Sequence, residues 1–422
     1  MRDDMAPGGE TGRAAPIKAL AGAAAFLRGL PRDWVVSAGR TSIYRFLYQM
    51  VLPYLSLYTI GLGASGAQLG LVNCAGMATA AIISPFTGSL LDRIGPKRIY
   101  LVGIGLLASS WLAYALARQW PVAIVAMMLY YVGFRTSGHC CSVVCANTLR
   151  PETRATAMSL CETLAAGILG VVGPLIGAFV VNRGGGPSTS GIRPLFWIAF
   201  AGMALCFLIV LTSLSDRRWG APSRGSAGFL GGLGEVFKHG KSLKRFIAVS
   251  VVGQLPNGMI IPFTQPFAAS RGADEFVLGA MVTGFALTPL LLGIPAGRLA
   301  DRIGRKRVLF ITAPVFWTSC LLLVLARGGF AFIAAGVLQG ALFISGVVTA
   351  ALQFELVEPG YMGRWLGVLG FFQMATQALV ALLAGLVWDR LGPQFVFLIP
   401  IALDLFVRMP LLATIPESRE RD

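Results

Sequence analysis

Eleven residues in the first half of this chain return 209 positions later with their charges and glycines in place. Gly88-Ser-Leu-Leu-Asp92-Arg93-Ile-Gly95-Pro-Lys97-Arg98 reappears as Gly297-Arg-Leu-Ala-Asp301-Arg302-Ile-Gly304-Arg-Lys306-Arg307. In a chain of 422 residues that offset is about half the length. Other landmarks keep it: Pro53 and Pro262, Gly63-Ala64 and Gly272-Ala273, Leu69-Gly70 and Leu278-Gly279, and, within one residue, Arg154 and Arg364. Solenoids and propellers repeat every 20–50 residues or so. A period this long instead reads as one large unit duplicated, so the fold must have two like halves.

Composition says where those halves sit. Hydrophobic residues make up 55% of the chain, charged residues 13%, and the mean hydropathy is +0.72. Soluble domains carry about 25% charged residues, so this chain cannot cover itself for water. A run of about 18 or more apolar residues reads as a membrane-spanning helix. Twelve such runs are present, near 35–60, 68–88, 99–117, 121–146, 155–182, 194–215, 245–268, 276–296, 308–326, 330–354, 364–388 and 393–415. Two halves of six spans facing each other across a solute site is an architecture of secondary transporters.

The net charge of +16 and pI of 10.1 would also suit a nucleic-acid binder, but the positions of the basic residues argue otherwise. Of 35 Lys and Arg, 25 fall in the termini and even-numbered turns, 6 in the odd-numbered turns and 4 inside spans. That asymmetry predicts both termini and both copies of the repeat in the cytoplasm. The basic surplus then serves topology and lipid attraction, and no nucleic-acid partner is expected.

The expected organisation is an N-terminal segment over 1–33 with an interfacial helix, a six-helix bundle over 34–215, a cytoplasmic linker over 216–244, a second bundle over 245–415, and a tail over 416–422. The linker is expected to hold a short amphipathic helix near 228–239. All seven cysteines fall inside predicted spans, which is the wrong place for an extracellular disulfide framework.

The repeated pattern Gly-x-Leu-x-Asp-Arg-x-Gly-x-Lys-Arg closely resembles the signature between helices 2 and 3 of the major facilitator superfamily. Here it stands at both the 2–3 and the 8–9 turns, and the resemblance spans the whole chain. It implies an all-α membrane protein with twelve transmembrane helices in two pseudo-symmetric six-helix bundles. It also implies a role for the acid: Asp92 would meet the start of span 11 near Arg364, and Asp301 the start of span 5 near Arg154, closing the cytoplasmic side. A carboxylate is favoured at a helix N-terminus, which fits that role. The alternative is a charged turn that obeys topology alone.

Several polar groups lie deep in the spans. Arg135 of span 4 sits about eleven residues in, roughly 17 Å at 1.5 Å per residue. An arginine there costs on the order of 3 kcal/mol, so it should face the bundle interior or a cavity. Arg135-x-x-Gly138 is similar to the fourth-helix arginine element of proton-coupled members, and His139 shares its face. Arg45 of span 1, followed by Tyr48 and Gln49, has Gln254 as its partner under the offset, with Asn257 after it. The resemblance makes helices 1, 4, 7 and 10 the cavity walls, and an organophosphate antiporter group within it places an arginine at the point of Arg45 and another in helix 7, where this chain has Gln254. Helix-packing arginines are the plainer alternative for both. Arg40, nearer the cytoplasmic end, is expected to snorkel.

Span 5 holds Gly167-x-x-Gly170-x-x-Gly173-Pro174-x-x-Gly177, which resembles the Gly-Pro motif of helix 5 in exporters of the superfamily. Leu169 and Ala178 depart from its stricter form, and glycine-rich helix packing is the alternative. Glu162 is one of very few acids within the spans and a candidate proton-coupling group; a static ion pair with Arg135 or Arg154 competes. Asp404 and Arg408, at i and i+4 in span 12, are expected to pair. Cys141 and Cys145 share a helix face near His139, but small apolar packing explains them better than a metal.

No acid, His or Ser constellation supports an enzyme, and no metal or cofactor is expected. A receptor or scaffold with a decayed transporter fold is disfavoured because both signatures keep their acid and base. The expected function is secondary transport of a small organic solute by alternating access, with proton-coupled efflux favoured. Import or exchange of an organic anion through Arg45 and Arg135 is the alternative. The setting is the plasma membrane of a bacterial or archaeal cell, with solute, protons and lipid as partners and a monomer as the working unit.

Overall fold

A computed structural model describes residues 29–149, 169–216, 241–356 and 362–415, with side chains for all of these except 84–94, 139, 142–143, 145–147, 241–244, 351, 353–356 and 362–367. Among the described residues the regular elements are helices, with no strand. Spans 1 to 6 are α1 (Arg32–Gly61), α2 (Gly66–Ile94), α3 (Pro96–Leu116), α4 (Pro121–Thr148), α5 (Leu169–Arg183) and α6 (Thr189–Ser213). Span 7 is divided into α7 (Lys241–Val252), α8 (Leu255–Met259) and α9 (Ile261–Ser270). Spans 8 and 9 are α10 (Glu275–Ile303) and α11 (Arg305–Leu325). Span 10 is α12 (Gly329–Gln339) with α13 (Ala341–Leu356), and span 11 is α14 (Met362–Arg390). Span 12 runs through α15 (Phe395–Leu403), a π-helical turn (Asp404–Arg408) and α16 (Met409–Ala413).

The duplication is kept in the helix bounds. Subtracting 209 from the limits of α10 returns those of α2, and from α11 those of α3. The outer limits of span 7, Lys241 and Ser270, return those of α1. The glycines that punctuate these helices explain the register. Gly95 and Gly304 both adopt positive φ, at 96° and 99°, and Gly63 and Gly272 do so at 94° and 90°. Only glycine enters that region without a steric cost, so each short turn stops one helix and starts the next at a fixed place.

Several helices outrun the apolar stretches that announced them: α10 continues through Arg298, Asp301 and Arg302 to Ile303. Backbone hydrogen bonding carries a helix past the apolar stretch into charged termini, which are comfortable in the headgroup region. Nine helices among the described residues are long and apolar enough to cross a membrane. Their outer faces carry Phe330, Leu325, Phe406 and Val347, all more than 60% exposed, a surface suited to lipid rather than water.

The halves meet along two glycine-lined seams at the end opposite the repeated signatures. A Cβ on Gly70 of α2 would lie 2.5 Å from the carbonyl oxygen of Ala381 in α14. Gly385 of α14 in turn has no room for a side chain against the Gly66 carbonyl. In the second seam a Cβ on Gly279 of α10 would lie 2.9 Å from the Pro174 carbonyl and 3.1 Å from Ala178 of α5. Gly70 and Gly279 are equivalent under the 209 offset, and small residues allow such backbone approach. The span 5 departure at Ala178 is accommodated because the residue facing it is Gly279.

Candidate functional site: a central amide- and tyrosine-lined cavity

Acids from the second half hold both seams at that end. Asp389, at the close of α14, accepts from the backbone N–H of Gly66 at 2.9 Å and of Ala67 at 2.8 Å. It thereby caps a helix of the other half, where a carboxylate meets the unpaired amides and the positive end of the helix dipole. Ser65 and Gln68 add a reciprocal capping box to the same helix start. On the other seam Asn182 of α5 donates to Glu275 Oε1 at 2.5 Å, and the Tyr54 hydroxyl of α1 donates to the Glu275 carbonyl at 2.8 Å. Thr283 of α10 donates to the Val171 carbonyl at 3.0 Å.

Beneath this closure lies a cavity of about 220 Å³ between the halves. Its walls come from α1, α2 and α4 on one side and from α8, α9, α10, α12 and α14 on the other. Leu52 is nine residues from the end of α1, so the cavity lies roughly 14 Å below that end, near the middle of a hydrocarbon core of about 30 Å.

The lining repeats with the chain. Seven pairs of lining residues are related by the 209 offset: Tyr48 and Asn257, Leu52 and Ile261, Leu55 and Thr264, Ser56 and Gln265, Asn73 and Val282, Met127 and Gly336, Tyr130 and Gln339. The geometry is kept while the chemistry changes. Two tyrosines of the first half face amides of the second, and among the described lining residues there is no Asp, Glu, Lys, Arg or His.

The tyrosines are held as a packed wall. Tyr48 stacks on Tyr130 with centroids 5.6 Å apart and an interplanar angle of 16°, and Tyr131 meets Tyr130 edge-on at 5.4 Å. Tyr44 supports them from behind through a 2.8 Å hydroxyl contact with Tyr130. The amide wall depends on the interruption in span 7. Gly253, Pro256, Gly258 and Pro262 break the helix, and Gln254 at the break accepts from both Asn257 Nδ2 at 2.8 Å and Gln377 Nε2 at 2.7 Å. A Cβ on Gly258 would lie 2.7 Å from the Gln377 carbonyl, so α8 and α14 touch there through backbone. Interrupted helices of this kind are tolerated in a membrane where they line a cavity.

Of the residues expected in the cavity, Tyr48 and Asn257 line it, and Arg45, Gln49, Arg135 and Gln254 do not. Gln254 stands one layer behind, holding Asn257 and Gln377. Gln49 packs toward α5, where a Cβ on Gly173 would lie 3.2 Å from its own Cβ. Arg135 reaches the opposite half on the signature side of the cavity, with Nη2 3.9 Å from the Cβ position of Gly370 in α14. Gly173 and Gly177 let α5 lie against the backbone of α1 at Phe46 and Met50.

Arg40 does not snorkel. It is 3% exposed, with its guanidinium over the rings of Tyr44 and Tyr100 at 5.1 and 5.2 Å. Since α1 already begins at Arg32, Arg40 lies two turns inside the helix on its inward face. Asp404 and Arg408 pair at 2.9 Å as their spacing predicts, and Asp404 also accepts from Trp317 Nε1 at 2.8 Å. Asp301 is exposed, as is Arg307. Arg154 and Glu162 lie outside the described residues, as do the side chains of Asp92, Arg93, His139 and Arg364.

Sequence reasoning missed Asn73, Gln265, Gln339 and Gln377. The offset itself was the available signal: adding 209 to Ser56 and Tyr130 leads to Gln265 and Gln339.

The family model for the Major Facilitator Superfamily matches residues 41–255 and again 246–421. Multidrug resistance protein MdtG of Escherichia coli O9:H4 (strain HS) is 26% identical over 292 residues, covering 66% of this chain and 67% of that protein. MdtG of Citrobacter koseri is 26% identical over 288 residues, covering 66% and 68%. Among solved structures, a mutant of the nucleoside transporter NupG superposes with a TM-score of 0.74 at 16% identity, covering 91% of this chain and all of that one. A D-xylose-proton symporter does so with a TM-score of 0.72 at 13% identity, covering 92% and 99%.

Proposed function

Because this chain belongs to the major facilitator superfamily, a family of membrane transporters rather than enzymes, we propose that it exports a small organic solute by alternating access, driven by proton antiport. The observation that carries the reading is the mid-membrane cavity between two duplicated halves, closed at one end by Asp389 and Glu275. With the signature end in the cytoplasm, as the Lys and Arg placement indicates, closure of the far end is what the solute-loading state of an exporter requires. The multidrug resistance names of the bacterial MdtG relatives support export. Alternating access then requires the α2–α14 and α5–α10 seams to part while the signature turns close. In this reading Asp92 and Asp301 latch those turns against the starts of spans 11 and 5.

Glu162 is the coupling group in this reading, since antiport needs a carboxylate that gains and loses a proton between the two states. The test is efflux of a fluorescent amphipath from proteoliposomes under an imposed pH gradient. Glu162→Gln should abolish the pH-driven component; proton dependence that survives the substitution removes Glu162 from the mechanism. Organic-anion exchange rests on Arg45 and Arg135, and neither lines the cavity described above.

A further inference from the structure

We propose that the central cavity selects uncharged, ring-bearing solutes, with Gln265 and Gln339 reading the solute's hydrogen-bonding edge. This rests on the transporter reading and adds the chemistry of what is carried.

Gln265 and Gln339 are 8% and 6% exposed and both line the cavity. Gln265 Oε1 and Gln339 Nε2 are buried with no hydrogen-bond partner. A buried polar atom left unpaired costs about 1–3 kcal/mol, and native structures rarely leave one without a reason. Here the free atoms are complementary, an acceptor and a donor, from two helices of one half. Each has an equivalent in the other half, Ser56 and Tyr130. The second half supplies the hydrogen-bonding wall, and the first half supplies aromatic faces.

Charge selection follows from what the lining lacks. An ion brought into a low-dielectric site without a counter-charge is strongly disfavoured, and the described lining residues include no Asp, Glu, Lys, Arg or His. A neutral amide or lactam edge loses water but regains a donor and an acceptor from the two glutamines. Its ring regains apolar contact with Tyr48, Tyr131 and Met77. A volume of about 220 Å³ lies just under the roughly 300–1,000 Å³ of typical ligand pockets. It suits a compound of one or two rings.

The test uses three probes with one ring system and different charge: 2-naphthamide, 2-naphthoate and 2-naphthylmethylammonium. Equilibrium binding to the purified full-length chain in detergent should favour naphthamide at least ten-fold over either ion. Gln265→Met and Gln339→Met should each weaken naphthamide about ten-fold, the effect of one lost hydrogen bond, and leave naphthalene unchanged. Gln265→Glu should move the preference to the cation, which keeps the proposal testable where a Met variant fails to give a monodisperse protein. Equal or tighter binding of either ion to the unmodified chain overturns it. So does unchanged naphthamide affinity in both Met variants, which would mean that water alone satisfies the amides. Proteoliposome flux separates this from the transport reading. Naphthamide preference without flux of any solute supports the cavity chemistry and removes transport. Flux of the ions without naphthamide removes the cavity chemistry and keeps transport.

Discussion

Asp404 is 4% exposed in the middle of span 12 and holds two partners, Arg408 on its own helix and the Trp317 indole of α11. Arg408 Nε is already buried without a partner, 3.2 Å from the Cβ position of Gly253 at the break in span 7. Removing one member of such a pair leaves an uncompensated buried charge, worth about 3–5 kcal/mol. Asp404→Asn should therefore lower the melting temperature in detergent sharply, and Asp404→Asn with Arg408→Met should recover most of the loss. Equal melting temperatures for the single variant and the unmodified chain would show that the pair is not needed. This pair was legible from i,i+4 spacing, because both partners sit on one helix. Arg40 was not: its burial depends on where α3 brings Tyr100, a residue 60 positions away. Spacing along one span cannot report on a neighbour supplied by another.

Matched helices in the two halves share limits but not continuity. Pro53 lies inside an unbroken α1, whereas its equivalent Pro262 stands at the start of α9, after interruptions at Gly253-Gln254 and at Ile260. The difference comes from Gly253, Pro256 and Gly258, which have no counterparts at Tyr44, Leu47 and Gln49 of α1. The break forgoes backbone hydrogen bonds that a continuous helix would make, each worth about 0.5–1.5 kcal/mol, and Pro256 in the first turn of α8 keeps it from closing. Pro256→Ala should raise the melting temperature while lowering solute flux about ten-fold, because a straighter span 7 carries Asn257 and Gln265 off the cavity. Stability and flux rising together would argue that the break has no functional role. Most helix starts were readable within a few residues from apolar runs, while the charged ends of α2 and α10 at Ile94 and Ile303 lay six and seven residues beyond theirs. The break in span 7 was not read, since hydropathy is blind to it and its prolines lie within an apolar stretch.

At the scale of the whole molecule, closure at one end rests on side chains that are absent. Any residue larger than glycine at 70 or 279 must push α2 from α14 or α10 from α5, since backbone atoms of the opposite half occupy the space. Gly70→Leu should therefore open that end. The measurement is labelling of a cysteine at Met77, a lining position, by a membrane-impermeant maleimide in a background without native cysteines. Labelling from the opposite end should rise at least ten-fold, and Gly279→Leu should do the same; no change in either variant would place the barrier elsewhere. The duplication made the two-halves architecture plain at the outset, because glycine and charge patterns survive divergence where backbone geometry demands them. The cavity was less legible. Attention to deep charges led to Arg45 and Arg135, while the described lining consists of neutral groups that stand out only when one half is laid over the other.

The seven matched lining pairs have a consequence for how such a cavity can diversify. Within each pair the two positions occupy like places on opposite walls, yet only one need change for the pair to present a new surface. Tyr130 has Gln339 as its counterpart, and Ser56 has Gln265. An ancestor with identical halves would have offered every solute the same face twice, and so would have suited symmetric molecules best. Divergence within pairs lets one wall specialise in shape and the other in polarity, giving the cavity a directionality that a two-fold symmetric duplicate lacks. A solute with one flat face and one polar edge then has a single preferred way to lie.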